Sequence, residues 1–198
     1  MITIIDYKAG NLASVAKGFK HLGCVTQVTS DPDVVISASK LVLPGVGHFG
    51  ATAILESSGL RQAVEQSIAR GVPFLGICVG MQWLFEGSEE APETRGLGVF
   101  RGKCQRFPAT VKVPHVGWNQ VRSGGGSKLL AGLDNDFFVY YTHSYRAPSG
   151  DGTVACTEYG GAFAAVVERN NVFGVQFHPE KSGAAGLQLL ENFVNVPC

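Results

Sequence analysis

The first half of the chain alternates between short apolar runs and segments in which apolar residues recur at helical spacing. Ile2–Ile5 is a continuous apolar run, typical of a strand that is covered on both faces. Leu12 begins a helical pattern just after Asn11, a residue suited to a helix N-cap. Further strands are predicted at 26–28, 40–44 and 72–77, and further helices after Asp31-Pro32 and over 49–69 with a break at 57–59. This alternation favours a parallel sheet in a doubly wound fold.

The second half has a different character. After about Gly87, short β-rich runs are separated by Gly, Pro, Ser and Asn, and Asn170-Asn171 suits a tight hairpin. A last helix is predicted over 183–194. We therefore predict an α/β fold with a mixed, mainly parallel central sheet, flanked by helices and extended by antiparallel strands. Residues 1–198 are expected to form a single domain.

Composition narrows the classes of function. The chain has 198 residues, 45% of them hydrophobic and 16% charged, and its formal net charge is zero. This is the composition of a globular protein, and it offers no electrostatic case for binding nucleic acid or a membrane. No apolar run approaches the roughly 18 residues needed to span a bilayer. The N-terminus lacks the basic segment of a signal peptide, so we expect a cytoplasmic protein or one whose targeting segment has been removed.

Five cysteines are present, and four of them are expected to be small buried hydrophobes. Their number is odd, their spacing is wide and no CxxC pair occurs, which argues against a disulfide framework or a zinc site. The five are Cys24, Cys78, Cys104, Cys156 and Cys198.

Cys78 differs from the other four because glycines flank it at both second neighbours. Gly76 and Gly80 complete a G-x-C-x-G pattern at a predicted strand-to-helix junction. This is the thiol version of a nucleophile elbow, in which a sharp turn holds the attacking atom at the edge of a sheet. We expect a strained backbone at Cys78, with small neighbours that let strand and helix approach closely. The N-terminus of the following helix is expected to favour the thiolate and to bind an oxyanion.

A thiol nucleophile needs a base, and the base needs a group that orients it. The segment GVQFHPEKS supplies both in His178 and Glu180, which flank Pro179 directly after an apolar strand. Proline biases the residue before it towards an extended conformation. In extended geometry residues two apart point the same way, so Glu180 is expected to reach the imidazole.

A third motif, LPGVGHFG, follows another predicted strand. Its glycines let the backbone turn its amide groups towards a ligand at the carboxyl edge of the sheet. We expect this loop and the Cys78 elbow to lie on neighbouring strands. Together they supply the two backbone N–H groups that an oxyanion hole requires.

Together these motifs resemble the class I, or triad, glutamine amidotransferases. That family combines a G-x-C-x-G elbow, an HPE segment about a hundred residues later and an upstream P-G-x-G loop, which this chain carries in the same order. Within the family, DYKAGNL, LPGVGHFG, GICVGMQWLF, PHVGWN, THSY and GVQFHPEKS are similar to the glutaminase subunits of imidazole glycerol phosphate synthases in histidine biosynthesis. The resemblance covers essentially the whole chain. Lys8 departs from it, at a position that more often holds glycine.

The resemblance implies a reaction and a set of site residues. Cys78 would attack the side-chain amide of L-glutamine to form a glutamyl thioester, His178 would transfer protons and Glu180 would orient it. Backbone amides near Val46 or Gly47 and at Val79 would hold the oxyanion. The glutamine pocket would include Gln82, His143, Ser144 and Tyr145. No cofactor and no metal is implied.

The resemblance also implies a partner. In the family a separate cyclase subunit, a (β/α)₈ barrel, receives the ammonia through a channel and makes imidazole glycerol phosphate and an aminoimidazole carboxamide ribonucleotide. Trp118 is expected to anchor the interface with that subunit, with Asn11 and Lys181 as further interface residues. The alternative for Trp118 is a place in the core.

Three other classes of protein remain open from the residues. One is a different acyl-transfer enzyme of the same architecture, related to cysteine peptidases or deglycases. Another is a glutaminase that serves anthranilate, guanylate or pyridoxal phosphate synthesis. The third is a non-catalytic binding or scaffold subunit that has kept the fold. The intact set of Cys78, His178 and Glu180 argues against the last class.

Overall fold

The computed structural model describes residues 1–197, so Cys198 lies outside the described residues. The strands are β1 (Ile2–Ile5), β2 (Thr26–Thr29), β3 (Leu41–Gly45), β4 (Phe74–Cys78), β5 (Gly87–Ser88), β6 (Lys103–Arg106), β7 (His115–Ser123), β8 (Asp136–His143), β9 (Tyr145–Arg146), β10 (Thr153–Glu158), β11 (Ala162–Arg169) and β12 (Val172–Val175). The α-helices are α1 (Leu12–His21), α2 (Pro32–Ile36), α3 (Ala53–Ser57), α4 (Leu60–Ala69), α5 (Val79–Gln82) and α6 (Gly183–Asn195). Two 3₁₀ turns, Phe49–Thr52 and Pro179–Lys181, complete the elements.

A nine-stranded sheet in the order β2-β1-β3-β4-β12-β11-β10-β7-β8 forms the centre of the molecule. The strands from β2 to β12 in that order pair in parallel, and those from β12 to β8 pair antiparallel. A smaller sheet joins β5, β6 and β9. The predicted mixed α/β fold is confirmed, and its antiparallel part is as wide as its parallel part.

Several local predictions are confirmed. The Asn11 side chain caps α1 by accepting a hydrogen bond from the Ser14 N–H at 3.3 Å. Asp31 likewise caps α2. The helical stretch over 49–69 is interrupted as predicted, and Gly59 there takes the left-handed φ of 79°. The hairpin at 170–171 joins the antiparallel strands β11 and β12.

Strand β3 does not end at Pro44 as predicted but continues to Gly45. Its pairing with β1 ends at Val42, whereas its pairing with β4 continues to Gly45 opposite Cys78. Pro44 therefore lies where the strand has one partner instead of two, and a missing N–H is tolerated on such an edge.

Lys8 has a backbone conformation that favours glycine. Its φ is 67°, in the left-handed region where a side chain is unfavourable. Asp6 holds it there, because its carboxylate accepts hydrogen bonds from the Lys8 backbone N–H at 2.8 Å and from Nζ at 3.2 Å.

The fold brings the three sequence motifs to one edge of the sheet. β4 lies between β3 and β12, so the carboxyl ends of all three strands are adjacent. The glycine loop follows β3, Cys78 ends β4, and His178 comes three residues after β12. The prediction that the elbow and the glycine loop lie on neighbouring strands is confirmed. No helix within residues 1–197 is both long enough and apolar enough to cross a bilayer.

Candidate active site

Cys78 adopts the strained conformation that the elbow pattern predicts. Its φ of 54° and ψ of −108° are rare for a residue with a side chain, and such backbones cost about 1–3 kcal/mol. The side chain is buried within the core of the protein. The helix that follows, α5, has only four residues, so its dipole contributes less than predicted to stabilising a thiolate.

The glycines around Cys78 are required by steric contact. A Cβ on Gly76 would lie 2.5 Å from the carbonyl oxygen of Gly80, and a Cβ on Gly80 would lie 1.9 Å from that of Leu43. A Cβ on Gly45 would lie 2.7 Å from Cβ of Val79. Substitution at any of the three would push β3, β4 and α5 apart and displace the cysteine.

His178 and Glu180 form a buried pair. Nδ1 of His178 lies 2.9 Å from Oε1 of Glu180, and both side chains are 1% exposed. The predicted contact is present, but the predicted reason for it is wrong. Glu180 lies in the 3₁₀ turn Pro179–Lys181, so a tight turn and not the alternation of an extended strand brings the carboxylate to the ring.

The surroundings of His178 favour its protonated form. Burial lowers the pKa of the imidazole, but the interactions with the nearby Cys78 sulfur and the Glu180 carboxylate outweigh burial and raise it to about 9. Because Nδ1 donates to the carboxylate, Nε2 is the atom left for proton exchange. Nε2 is buried and makes no hydrogen bond to any residue within 1–197.

A cavity of about 220 Å³ opens onto the nucleophile. Its lining residues are Gly47, Cys78, Val79, Gln82, Glu90, Pro114, Thr142, His143, Ser144 and Tyr145. The four residues predicted for the substrate pocket are in this set, as are Gly47 and Val79 of the predicted oxyanion hole. Val46, in contrast, is absent from the lining.

Two residues next to the cavity were missed by sequence reasoning. Gln176 is completely buried and contacts both Gln82 and Cys78. A polar residue between apolar ones, two positions before His178, was the signal that could have indicated it. Glu90 adds a carboxylate to the cavity wall and accepts a hydrogen bond from the Phe49 N–H at 2.7 Å. No pattern in the sequence connects Glu90 with the three motifs.

A second histidine group lies beside the cavity. His115 and His143 are opposite each other on β7 and β8, with Nδ1 of His115 3.0 Å from Nε2 of His143. Burial lowers the pKa of His115 to about 4 and is also the main cause that lowers the pKa of His143 to about 3. Both rings are therefore neutral at pH 7.

The neutral rings have defined tautomers. The Tyr145 carbonyl oxygen can only accept, so Nδ1 of His143 donates to it at 2.9 Å, and Nε2 of His143 accepts from His115. Nε2 of His115 then accepts from the Asn119 amide at 3.2 Å. This chain of hydrogen bonds runs from Asn119 to the Tyr145 backbone at the cavity.

The predicted interface residues lie outside the cavity. Trp118 is 57% exposed, so the alternative of a core position is wrong. Its ring meets that of Tyr140 edge-on at 6.2 Å, and Lys181 Nζ lies 6.0 Å from the same Tyr140 ring. Asn11 caps α1. Their role in an interface remains a prediction.

Comparison with known families decides the class of protein. The model of the class I glutamine amidotransferase family matches residues 3–196. The chain belongs to this family. The predicted resemblance to this family is thereby confirmed.

Individual relatives are similar over nearly the full length of this amidotransferase. The protein named imidazole glycerol phosphate synthase subunit HisH of Methanothermobacter thermautotrophicus is 48% identical, covering 99% of this chain and 98% of the relative. The protein of the same name from Thermococcus kodakarensis is 50% identical, covering 98% of each.

Solved structures agree with the fold. A crystal structure described as a glutamine amidotransferase superposes with a TM-score of 0.77 at 19% identity, covering 98% of this chain and 97% of that one. The structure of PurLQS from Thermotoga maritima gives a TM-score of 0.78 at 17% identity, with the same coverage. At such identities the likeness concerns the architecture.

Proposed function

We propose that this chain is the glutaminase subunit of an imidazole glycerol phosphate synthase in histidine biosynthesis. It hydrolyses glutamine to glutamate and ammonia and passes the ammonia to a separate cyclase subunit. The observation that carries the proposal is the buried His178–Glu180 pair beside the strained Cys78, in a chain 48% identical over nearly its whole length to a relative of that name.

The site residues divide the reaction between them. The Cys78 sulfur attacks the carbon of the side-chain amide, and the C–N bond breaks as His178 gives its proton to the departing nitrogen, which leaves as ammonia. A glutamyl thioester remains. His178 then takes a proton from a water molecule, the resulting hydroxyl attacks the thioester carbon, and glutamate leaves as the sulfur is released. The high pKa of His178 supports its part as proton donor in the first step.

The cavity suits the rest of the substrate. Backbone amides of the Val46-Gly47 segment and of Val79 would hold the negative charge that develops on the amide oxygen. The carboxylate of Glu90 in the cavity wall offers a charge partner for the α-ammonium group of an amino acid. Gln82 is held by a hydrogen bond from its amide to the Tyr145 carbonyl at 2.9 Å, which supports a role as a fixed polar contact.

An exposed apolar face next to the cavity supports a partner subunit. Val116, Trp118 and Phe138 are 55%, 57% and 59% exposed, and they lie on the paired strands β7 and β8. Thr142, farther along β8, lines the cavity. A large aromatic residue at such a place is typical of an interface anchor. We propose that a (β/α)₈ cyclase docks here, with Lys181 and Asn11 at the margin.

The test is synthesis by the complex of this chain and the cyclase from the same genome. Cys78→Ala should abolish synthesis from glutamine and leave synthesis from added ammonium salt nearly unchanged. Cys24→Ala, a substitution of another free cysteine, serves as the control and should change neither rate.

Two outcomes would contradict the proposal in different ways. Loss of both activities in Cys78→Ala would mean that the cysteine is structural. Glutamine hydrolysis by the wild-type chain without any synthesis in the presence of the cyclase would leave a glutaminase but reject this partner.

A further inference from the structure

Gln176 occupies an unusual position for an uncharged amide. It follows the end of β12 and is 0% exposed, with its backbone N–H bonded to the Ala165 carbonyl oxygen at 2.9 Å. The side chain reaches two residues that line the substrate cavity. Its two polar ends contact Gln82 and Cys78.

The hydrogen bonds determine which way the Gln176 amide points. Gln82 Nε2 donates to the Tyr145 carbonyl oxygen, and this bond defines the orientation of the Gln82 side-chain amide. The same nitrogen lies 3.2 Å from Gln176 Oε1, which must accept. The Gln176 Nε2 is thereby left for the Cys78 sulfur at 3.8 Å, where it can only donate.

A donor at this place has a chemical consequence. Cys78 is 3% exposed, so an ionised sulfur receives little stabilisation from water. The one-turn helix α5 offers a small dipole only. A hydrogen bond from a neutral amide stabilises the anion in preference to the thiol, because a bond to a charged acceptor is stronger than one to a neutral acceptor.

We propose that Gln176 is a catalytic residue in addition to the triad: its amide N–H stabilises the ionised sulfur of Cys78, while its carbonyl oxygen holds Gln82 against the substrate cavity. This inference deepens the proposed glutaminase function and rests on it for its catalytic meaning. The Gln176 side chain would then connect the nucleophile with the glutamine pocket and hold Cys78 and Gln82 in a constant position relative to each other.

The experiment measures the ionisation of Cys78 directly. Gln176→Met removes the donor with little change in length, and Gln176→Leu is a second apolar variant of different shape. The rate of alkylation of Cys78 by iodoacetamide is followed from pH 5 to 10 on the full chain, with mass spectrometry of the peptide that contains Cys78. Gln62→Met, at an exposed position of α4, is the matched control.

We expect the midpoint pH of alkylation to rise by about one unit in both Gln176 variants, equivalent to a roughly tenfold loss of reactive thiolate below the midpoint, and to stay unchanged in Gln62→Met. An unchanged midpoint in either Gln176 variant that keeps the wild-type circular dichroism spectrum would overturn the inference. The assay uses no glutamine, so its failure is distinct from failure of the proposed function. A shifted midpoint without glutaminase activity in the wild-type complex would reject the proposed function and, with it, the catalytic meaning given to Gln176.

Discussion

A single buried histidine, His178, and a buried pair, His115 and His143, lie beside the same cavity but differ in charge. His178 is 1% exposed, and His115 and His143 are 4% and 6% exposed, so burial is nearly equal. The pKa of His178 is nevertheless raised to about 9, whereas those of His115 and His143 are lowered to about 4 and about 3. Burial alone therefore does not determine whether a histidine near this cavity carries a charge.

The difference is in the hydrogen-bond partners. Burial disfavours the charged form in all three rings, but His178 has a carboxylate at 2.9 Å and the Cys78 sulfur as neighbours. His115 and His143 have each other, an amide and a backbone carbonyl, none of which carries a negative charge. A buried imidazole with only neutral partners gives up its proton.

The two states suit two tasks. A charged His178 can hand a proton to a leaving group. The neutral pair supports the backbone at Tyr145 without adding positive charge near His178, which gains and loses a proton in the proposed reaction. Three experiments test this contrast between the two charge states.

The largest effect is expected from Glu180→Gln. The amide keeps the size of the side chain but removes a charge that favours protonated His178, so the pKa of the ring should fall. We expect the turnover of glutamine to fall by about 100-fold, within the range for loss of a general acid–base contribution. A glutaminase assay of the complex measures this change.

Glu191→Gln, an exposed position on α6, is the control for Glu180→Gln and should retain wild-type turnover. If Glu180→Gln hydrolysed glutamine at the wild-type rate, the carboxylate would not be needed for the state of His178.

The next largest effect concerns how the free energy of unfolding depends on pH. Histidines in the unfolded chain titrate near pH 6.5. As the pH falls below 6.5, they bind protons, whereas His115 and His143 in the folded chain stay neutral. The free energy of unfolding should therefore fall between pH 6.5 and about 3, by up to about 1.4 kcal/mol per pH unit for each histidine. For His178 the sign is opposite: its contribution is complete below pH 6.5 and is lost as the pH rises towards about 9.

Urea unfolding at a series of pH values tests both limbs of this profile. His143→Gln should flatten the acid limb alone, and His178→Gln should flatten the alkaline limb alone. His21→Gln, at the exposed end of α1, should leave both limbs unchanged. Equal flattening of both limbs by either buried variant would mean that the two groups do not titrate independently.

The smallest effect is expected from giving the neutral group a carboxylate. Asn119→Asp places a negative charge at the atom that now lies 3.2 Å from Nε2 of His115. We expect the pKa of His115 to rise from about 4 by about one to two units, measured by nitrogen-15 NMR of the imidazole. Asn135→Asp adds the same charge at an exposed position and should leave that pKa in place. An unmoved pKa in Asn119→Asp would show that burial outweighs a nearby charge here.

Much of the parallel half of the fold and the centre of the site could be predicted from the sequence. The elbow at Cys78, the HPE segment and the glycine loop are contiguous motifs whose constraints act over a few residues. The helix caps at Asn11 and Asp31 are likewise constraints that act over a few residues. Parallel pairing then brings the carboxyl ends of β3, β4 and β12 together, so short-range signals were enough to place Cys78 near His178.

Other features required the tertiary structure. His115 and His143 are 28 residues apart and meet only because β7 and β8 pair in one particular register. Gln176 and Gln82 are separated by 94 residues, and Glu90 reaches the cavity from a loop without a distinctive pattern. The turn that brings Glu180 to His178 also differed from the extended geometry expected.

Local motifs were enough to indicate Cys78, His178 and Glu180 as a candidate triad, because a strained turn, glycine contacts and a proline-flanked acid–base pair each involve neighbouring positions. The charge on each buried histidine was decided only by the folded chain. The pKa of a histidine depends on the groups within a few ångströms of its ring, and strand register and side-chain packing determine which groups these are.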